Sequence, residues 1–389
     1  MPTAPAPSAA FYRFFAVAAI LWLFVLITGN NVHPVWLAGE RLLLDGPPKG
    51  LLPGWLVRWA AVTLDGDLFG LRLIGTTLLL ITLSLTYRFG RQLFGYRTLL
   101  VTLLVLVSSL LINTAGKFVL ADNFLFLFQG GFGLAVIYYL KTGKAAWLLV
   151  LFGALALLSH PLSSFLYAVV LLGGLGGWHP QGRRLRAYAW LPLLGLLGGW
   201  WNDWQLLPPG YELSYGYQAY GRAWGLQLLG LFPWLGFLLA ALWNVPQKVR
   251  RGEELNLILG LWLLAAAAGG GLVVQLVAAL LIARQANDFF RPNYPYKPLV
   301  IFGSIAQLLG FFFLAMSLMM TGFRELGGTG FRVGMVLGLV YWAPGVFGVV
   351  GLWSKGPKLL LGGRVLSGLL VMLVGWLLLY PLVAQGLGK

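Results

Sequence analysis

The sequence predicts an all-α polytopic membrane protein of about 12 transmembrane helices, within a range of roughly 11 to 13. Three observations carry this: 59% of the 389 residues are hydrophobic against 10% charged, apolar runs of about 20 residues recur along the whole length, and most of those runs are apolar all round. A soluble helix keeps a polar stripe toward water. These runs do not.

In chain order the runs fall near 11–28, 68–87, 98–114, 120–140, 145–159, 162–178, 187–201, 224–243, 256–283, 298–321, 333–353 and 365–383. The first, Phe11 to Thr28, is as long as a full span, and the Gly29-Asn30-Asn31-Val32 that follows offers no small-x-small cleavage site. It reads as the first transmembrane helix, preceded over 1–10 by a short, Pro-containing, disordered cytoplasmic tail. Residues 11–201 form an N-terminal transmembrane module with a first extracytoplasmic loop at 29–67. Residues 202–389 form C-terminal transmembrane helices with no soluble domain. No repeat of fixed period is present, and no linker exceeds about 20 residues.

A formal charge of +16 would suggest nucleic acid in a soluble protein, but here the cations cluster in short loops between apolar runs. They read as topology signals and as contacts for anionic lipid headgroups. With no cysteine, disulfide and thiolate chemistry are excluded, and three histidines cannot build a zinc site alone.

Lys and Arg are retained on the cytoplasmic side of short loops. Arg88, Arg91 and Arg97, then Lys141 and Lys144, then Arg183, Arg184 and Arg186, then Lys248, Arg250 and Arg251 share one side if the N-terminus is cytoplasmic. Glu40, Asp45, Asp65, Asp67, Asp122, Asp203, Glu212 and Asp288 then lie outside, which points to a function on that face. Lys355, Lys358 and Arg364 would also lie outside and break the rule. The long 256–283 run contains Gly269-Gly270-Gly271; as a hairpin of two shorter helices it would invert everything after it.

Two polar loops stand out. The stretch Asn202 to Arg222 carries Trp204, Tyr211, Tyr215, Tyr217 and Tyr220, which suits an interfacial aromatic belt. A sharper reading makes Tyr211, Tyr215 and Tyr217 a lid or acceptor platform that stacks on sugar rings. The second loop, Asn30 to Arg72, is where chemistry would sit in so apolar a chain.

That loop opens a frame. Asn30-Asn31-Val32-His33-Pro34 is followed by Glu40, Lys49-Gly50 and Leu68-Phe69-Gly70-Leu71-Arg72; then come the turn Thr86-Tyr87-Arg88-Phe89-Gly90-Arg91-Gln92-Leu93-Phe94-Gly95, Leu120-Ala121-Asp122-Asn123, and Leu157-Leu158-Ser159-His160-Pro161. Over roughly the first 180 residues this order resembles the GT-C glycosyltransferases, in the branch of the lipid A aminoarabinose transferases and protein mannosyltransferases. There the frame reads D-E-x-x-Y, an E about ten residues on, K-P, an amphipathic segment ending in L-F-G-x-R, a second outer acid, and a T-K-G turn.

The resemblance implies a GT-C-like fold with amphipathic juxtamembrane helices in the first extracytoplasmic loop. It also implies an enzyme that transfers a sugar from a polyprenyl-phosphate carrier to an acceptor at the outer face. A base for the acceptor hydroxyl and cations for the phosphate are then needed. Asp122, Glu40, Asn30 and Asn31 stand at the catalytic positions; Lys49, Arg58 and His160 stand at the phosphate positions. A divalent metal is compatible with the family, and the expected setting is a bacterial cytoplasmic membrane. Each residue has a plainer reading: Lys49 and Arg58 snorkelling toward water, Asp122 capping a helix beside Lys117, His160 neutral in an interhelical turn. Arg72, inside an apolar run, costs roughly 2.5–3.5 kcal/mol without compensation, so Asp67 or Asp122 is its expected partner.

One departure matters. Asn30 and Asn31 replace the family's leading acids, and an amide cannot accept a proton at neutral pH. Glu40, His33 or Asp122 then acts as base, or the chain is a catalytically silent GT-C-like scaffold or lipid-binding subunit with partner membrane subunits. A transporter or quinone-linked subunit is a third reading, which the scarcity of mid-span ionisable residues disfavours.

Overall fold

The computed structural model describes residues 9–27, 51–201, 225, 227–291, 293–354 and 356–386. Asn30, Asn31, His33, Glu40, Lys49, Tyr211, Tyr215 and Tyr217 lie outside the described residues. The protein is an α-helical membrane protein: the described helices hold seven segments long and apolar enough to span a bilayer singly, and an eighth span forms if one bent pair is counted.

The helices, in order, are α1 (Ala9–Ile27), α2 (Leu51–Thr63), α3 (Leu68–Leu93), α4 (Tyr96–Val107), α5 (Leu110–Lys117), α6 (Ala121–Thr142), α7 (Ala146–Ser159) and α8 (Pro161–Trp178). After a 3-10 turn at Gly182–Tyr188 come α9 (Leu191–Trp201), α10 (Leu235–Arg250), α11 (Glu254–Gly269), α12 (Val273–Phe289), α13 (Lys297–Trp353) and α14 (Pro357–Gly386). α13 is two spans, Lys297–Ser317 and Gly327–Trp353, joined through Gly327 at φ 62°, ψ −144°.

Burial sorts these helices. Every residue of α12 from Val273 to Ala283 is buried, as its all-round apolar sequence requires. α6 is its equal at the centre, 89% buried over its most apolar window, whereas α1 is 22% buried and turns most of its surface to lipid. α2 is the amphipathic helix expected in the first loop: Val57 is buried beneath it, while Trp55 and Trp59 are exposed at 61% and 62%. Rings so placed suit the membrane interface.

One expected span is broken. α4 and α5 meet at a bend of 64°, and at membrane depth the freed backbone groups need internal partners. Ser108 Oγ donates to Leu104 O at 2.8 Å, and Asn113 Nδ2 donates to Val107 O and Ser109 O, each at 2.8 Å. Trp234 Nε1 donates to Ser108 Oγ at 2.8 Å.

The 256–283 run is the hairpin. α11 ends at Gly269, and Gly270 and Gly271 have φ of 73° and 79°, a region glycine enters without a Cβ clash. Ser163 Oγ donates to Gly269 O, and Gln227 Nε2 donates to Gly271 O at 3.2 Å. At the other end Arg284 lies 3.5 Å from Glu253 and Lys248 lies 2.6 Å from Asp288, while Asn287 Nδ2 donates to Thr98 Oγ1 at 3.1 Å.

Asp288 therefore shares a face with Lys248 and the basic loops, which corrects its expected outside position. The inversion carries through the rest of the chain. Gly362, near the start of α14, is beside Phe14 of α1, and Trp376 lies over Lys117 at the end of α5. α14 thus starts on the basic side. Lys358 now obeys the charge rule.

Candidate functional site at the outer helix ends

The ends of α3, α5 and α6 that face away from the basic loops are sewn together by polar contacts. Asp67 caps α3, accepting from Phe69 N at 3.3 Å and Gly70 N at 2.9 Å. Thr76 Oγ1 donates to Gly116 O at 2.8 Å, and Asn123 Nδ2 donates to Ala115 O at 3.0 Å and Phe118 O at 2.7 Å. Gly75 makes this possible: a Cβ there would lie 2.2 Å from Phe118 O.

Two cations are held inside this seam. Arg72 and Lys117 are each 2% exposed. The Arg72 guanidinium sits 5.2 Å from the Phe118 ring centre and the Lys117 ammonium 4.5 Å from that of Trp376, with the two rings 5.9 Å apart. Ring faces attract cations most strongly where water is excluded. Arg72 is not paired with Asp67, whose carboxylate is spent on the α3 cap. Nor is Asp122 its partner: no ion pair within 4.0 Å joins Asp122 to Arg72 or Lys117.

Asp122 sits in the first turn of α6, where the helix dipole favours a negative charge. The residue at the cap is Leu120, so the capping role expected of Asp122 is not observed. It is 6% exposed, and its Oδ2 is buried without a hydrogen-bond partner. A buried acceptor left open is costly unless something else fills it.

His160 joins α7 to α8, capping the end of one and the start of the other. Burial pushes its imidazole down to about 4, which keeps the ring neutral near pH 7 and argues against a cationic grip on phosphate. Its Nδ1 is buried without a partner. Arg58 is on the exposed side of α2 with Trp55 and Trp59. Among the described residues no three His, Cys, Asp or Glu side chains gather, so these residues assemble no metal site.

Sequence reasoning passed over two contributors to this seam. Lys117 entered only as a neighbour of Asp122, although a lysine inside Leu110–Leu120 is itself the signal of a buried charge. Trp376 gave no signal, because its role depends on where α14 packs. Away from the seam, Arg364 lies within α14 and is 1% exposed rather than in a loop.

A solved structure shares this architecture. It is ArnT from Cupriavidus metallidurans in the apo state, with a TM-score of 0.56, 16% identity, and coverage of 95% of this chain and 78% of that one. The fold is similar to the GT-C fold of ArnT. The same ArnT bound to undecaprenyl phosphate gives a TM-score of 0.57 at 15% identity, covering 97% of this chain and 79% of that one. No family model matches the chain, and no curated protein matches it in sequence. The likeness to ArnT is one of fold.

Proposed function

We propose that the protein binds a polyprenyl-phosphate-linked sugar and transfers the sugar to an acceptor at the extracytoplasmic face of a bacterial cytoplasmic membrane. The observation that carries this reading is an ArnT-like fold whose outer helix ends bury Arg72 and Lys117 in the seam of α3, α5 and α6, with Asp122, its Oδ2 unpaired, in the first turn of α6. ArnT itself has been captured with undecaprenyl phosphate.

In this reading Arg72 and Lys117 stabilise the phosphate as it departs, since charges act strongly where the local dielectric is low. Lys49 and Arg58 approach from the first loop. Asp122 Oδ2 takes the proton of the acceptor hydroxyl while the acceptor oxygen attacks the anomeric carbon; the bond to the phosphate oxygen breaks and its electron pair leaves with the phosphate. Glu40 shares or supports the base, and Asn30 and Asn31 orient polar groups where the family has acids. His160 donates as a neutral imidazole, and Tyr211, Tyr215 and Tyr217 cover the sugar.

The amides at 30 and 31 favour a second reading, a silent scaffold that holds the lipid carrier within a complex of membrane subunits. One experiment separates the two. Purified protein is given a panel of polyprenyl-phosphate sugars, and both release of the polyprenyl phosphate and binding of undecaprenyl phosphate are measured. Turnover that is lost in Asp122→Asn supports the transferase; binding without turnover supports the scaffold; neither overturns both.

A further inference from the structure

Arg364 lies about two turns into α14, on the half of the molecule nearer the basic loops and far along α14 from Trp376. Its Nη1 is fixed by two hydrogen bonds, to Pro233 O at 2.9 Å and to Gln307 Oε1 at 2.8 Å. Gln307 is in turn held by donating from Nε2 to Tyr341 Oη at 2.8 Å. The opposite edge of the guanidinium is open: Nε and Nη2 are both buried and neither has a hydrogen-bond partner. Gly348 faces that edge, and a Cβ there would come 3.4 Å from Nε. The glycine sets no polar side chain against Nε.

The charge balance sharpens the point. Guanidinium stays protonated in proteins, and an unbalanced charge inside a membrane is costly. α10 and α14 carry no Asp or Glu, and the one acid of α13, Glu325, falls after its first span has ended at Ser317. None of the ion pairs among the described residues includes Arg364. The balancing charge has to come from outside these helices.

We propose that the Nε and Nη2 edge of Arg364 is an oxyanion site, occupied by a phosphate group from a lipid headgroup or from free inorganic phosphate. The fork presents two parallel N–H groups, the spacing that two oxygens of one phosphate match. A plane already locked through Nη1 loses little freedom on binding. Because both nitrogens are closed to solvent, a bound anion exchanges slowly. The site is separate from the outer seam and does not depend on the reading given to that seam.

The test measures phosphorus bound to the intact chain after purification in phosphate-free buffer with detergent exchange. Solvent extraction separates lipid phosphorus from inorganic phosphate. Lys117→Met identifies whatever the outer seam retains. Gln307→Glu supplies a carboxylate against Nη1 from within the chain and so removes the need for an external anion. Wild type is expected to carry about one phosphorus per chain more than Gln307→Glu or Arg364→Met, in the organic phase if the source is lipid and in the aqueous phase if it is free phosphate. Equal phosphorus in wild type and Gln307→Glu in both phases overturns the proposal. So does a wild-type chain with far less than one phosphorus in both phases, a result that holds even where a variant fails to fold.

Discussion

Asp122, Lys117 and His160 occupy one end of the bundle under different physical constraints, and each makes a separate prediction. Asp122→Asn keeps the shape and removes the base, so turnover is expected to fall by about a hundredfold or more with binding of undecaprenyl phosphate kept. Lys117→Met keeps the stem and removes the charge; it is expected to weaken that binding by roughly tenfold to a hundredfold, read by titration in detergent. His160 predicts acid sensitivity. Its folded pKa is lowered from 6.5 to about 4 by burial, so the unfolded chain takes up the proton first. Stability is then full above about pH 6.5 and declines as pH falls toward 4. Thermal unfolding across that window should show a smaller decline in His160→Gln than in wild type; equal slopes would remove His160 from the account.

At the level of elements, the sequence was most legible where one helix answers one apolar run. α1, α3, α6, α7 and α8 match their expected runs to within a few residues at most ends, because length and hydrophobicity alone decide a span. It was least legible where a run hides a break. The break at Ser108–Ser109 is paired from nearby, by Ser108 and Asn113, whereas the one at Gly270–Gly271 depends on Ser163 and Gln227 from distant segments. The glycine triplet signalled the second; the first is marked only by the Ser108-Ser109 pair, with Ser109 capping α5. Gly270, at φ 73° and ψ −164°, is in a region costly to any residue with a Cβ. Gly270→Ala is expected to destabilise by about 1–3 kcal/mol, seen as a lower unfolding midpoint. Gly173→Ala, a helical site with nothing within 4 Å of the new methyl, is expected to be neutral or mildly stabilising.

The whole molecule has one consequence that a chain without cysteine makes easy to check. If the hairpin returns to the side it left, Arg291→Cys and Lys358→Cys share a compartment with Arg183→Cys, and Asp65→Cys lies opposite. An impermeant maleimide applied to intact cells should label the last alone; labelling of Arg291→Cys would reject the hairpin topology. The same inversion explains why the candidate site was only partly readable. Its cations, Arg72 and Lys117, are in the first third of the sequence, but the ring over Lys117 belongs to α14, whose direction cannot be judged until the hairpin is recognised. Asp122 was legible from its position at a helix start. Its open Oδ2 was not, since that depends on what the neighbouring helices leave unfilled.

The contact between Lys117 and Trp376 also sets an order in time. During synthesis α3, α5 and α6 enter the bilayer long before α14 exists, so for that interval the lysine lacks the ring that later covers it. The outer seam is therefore complete only once α14 has inserted.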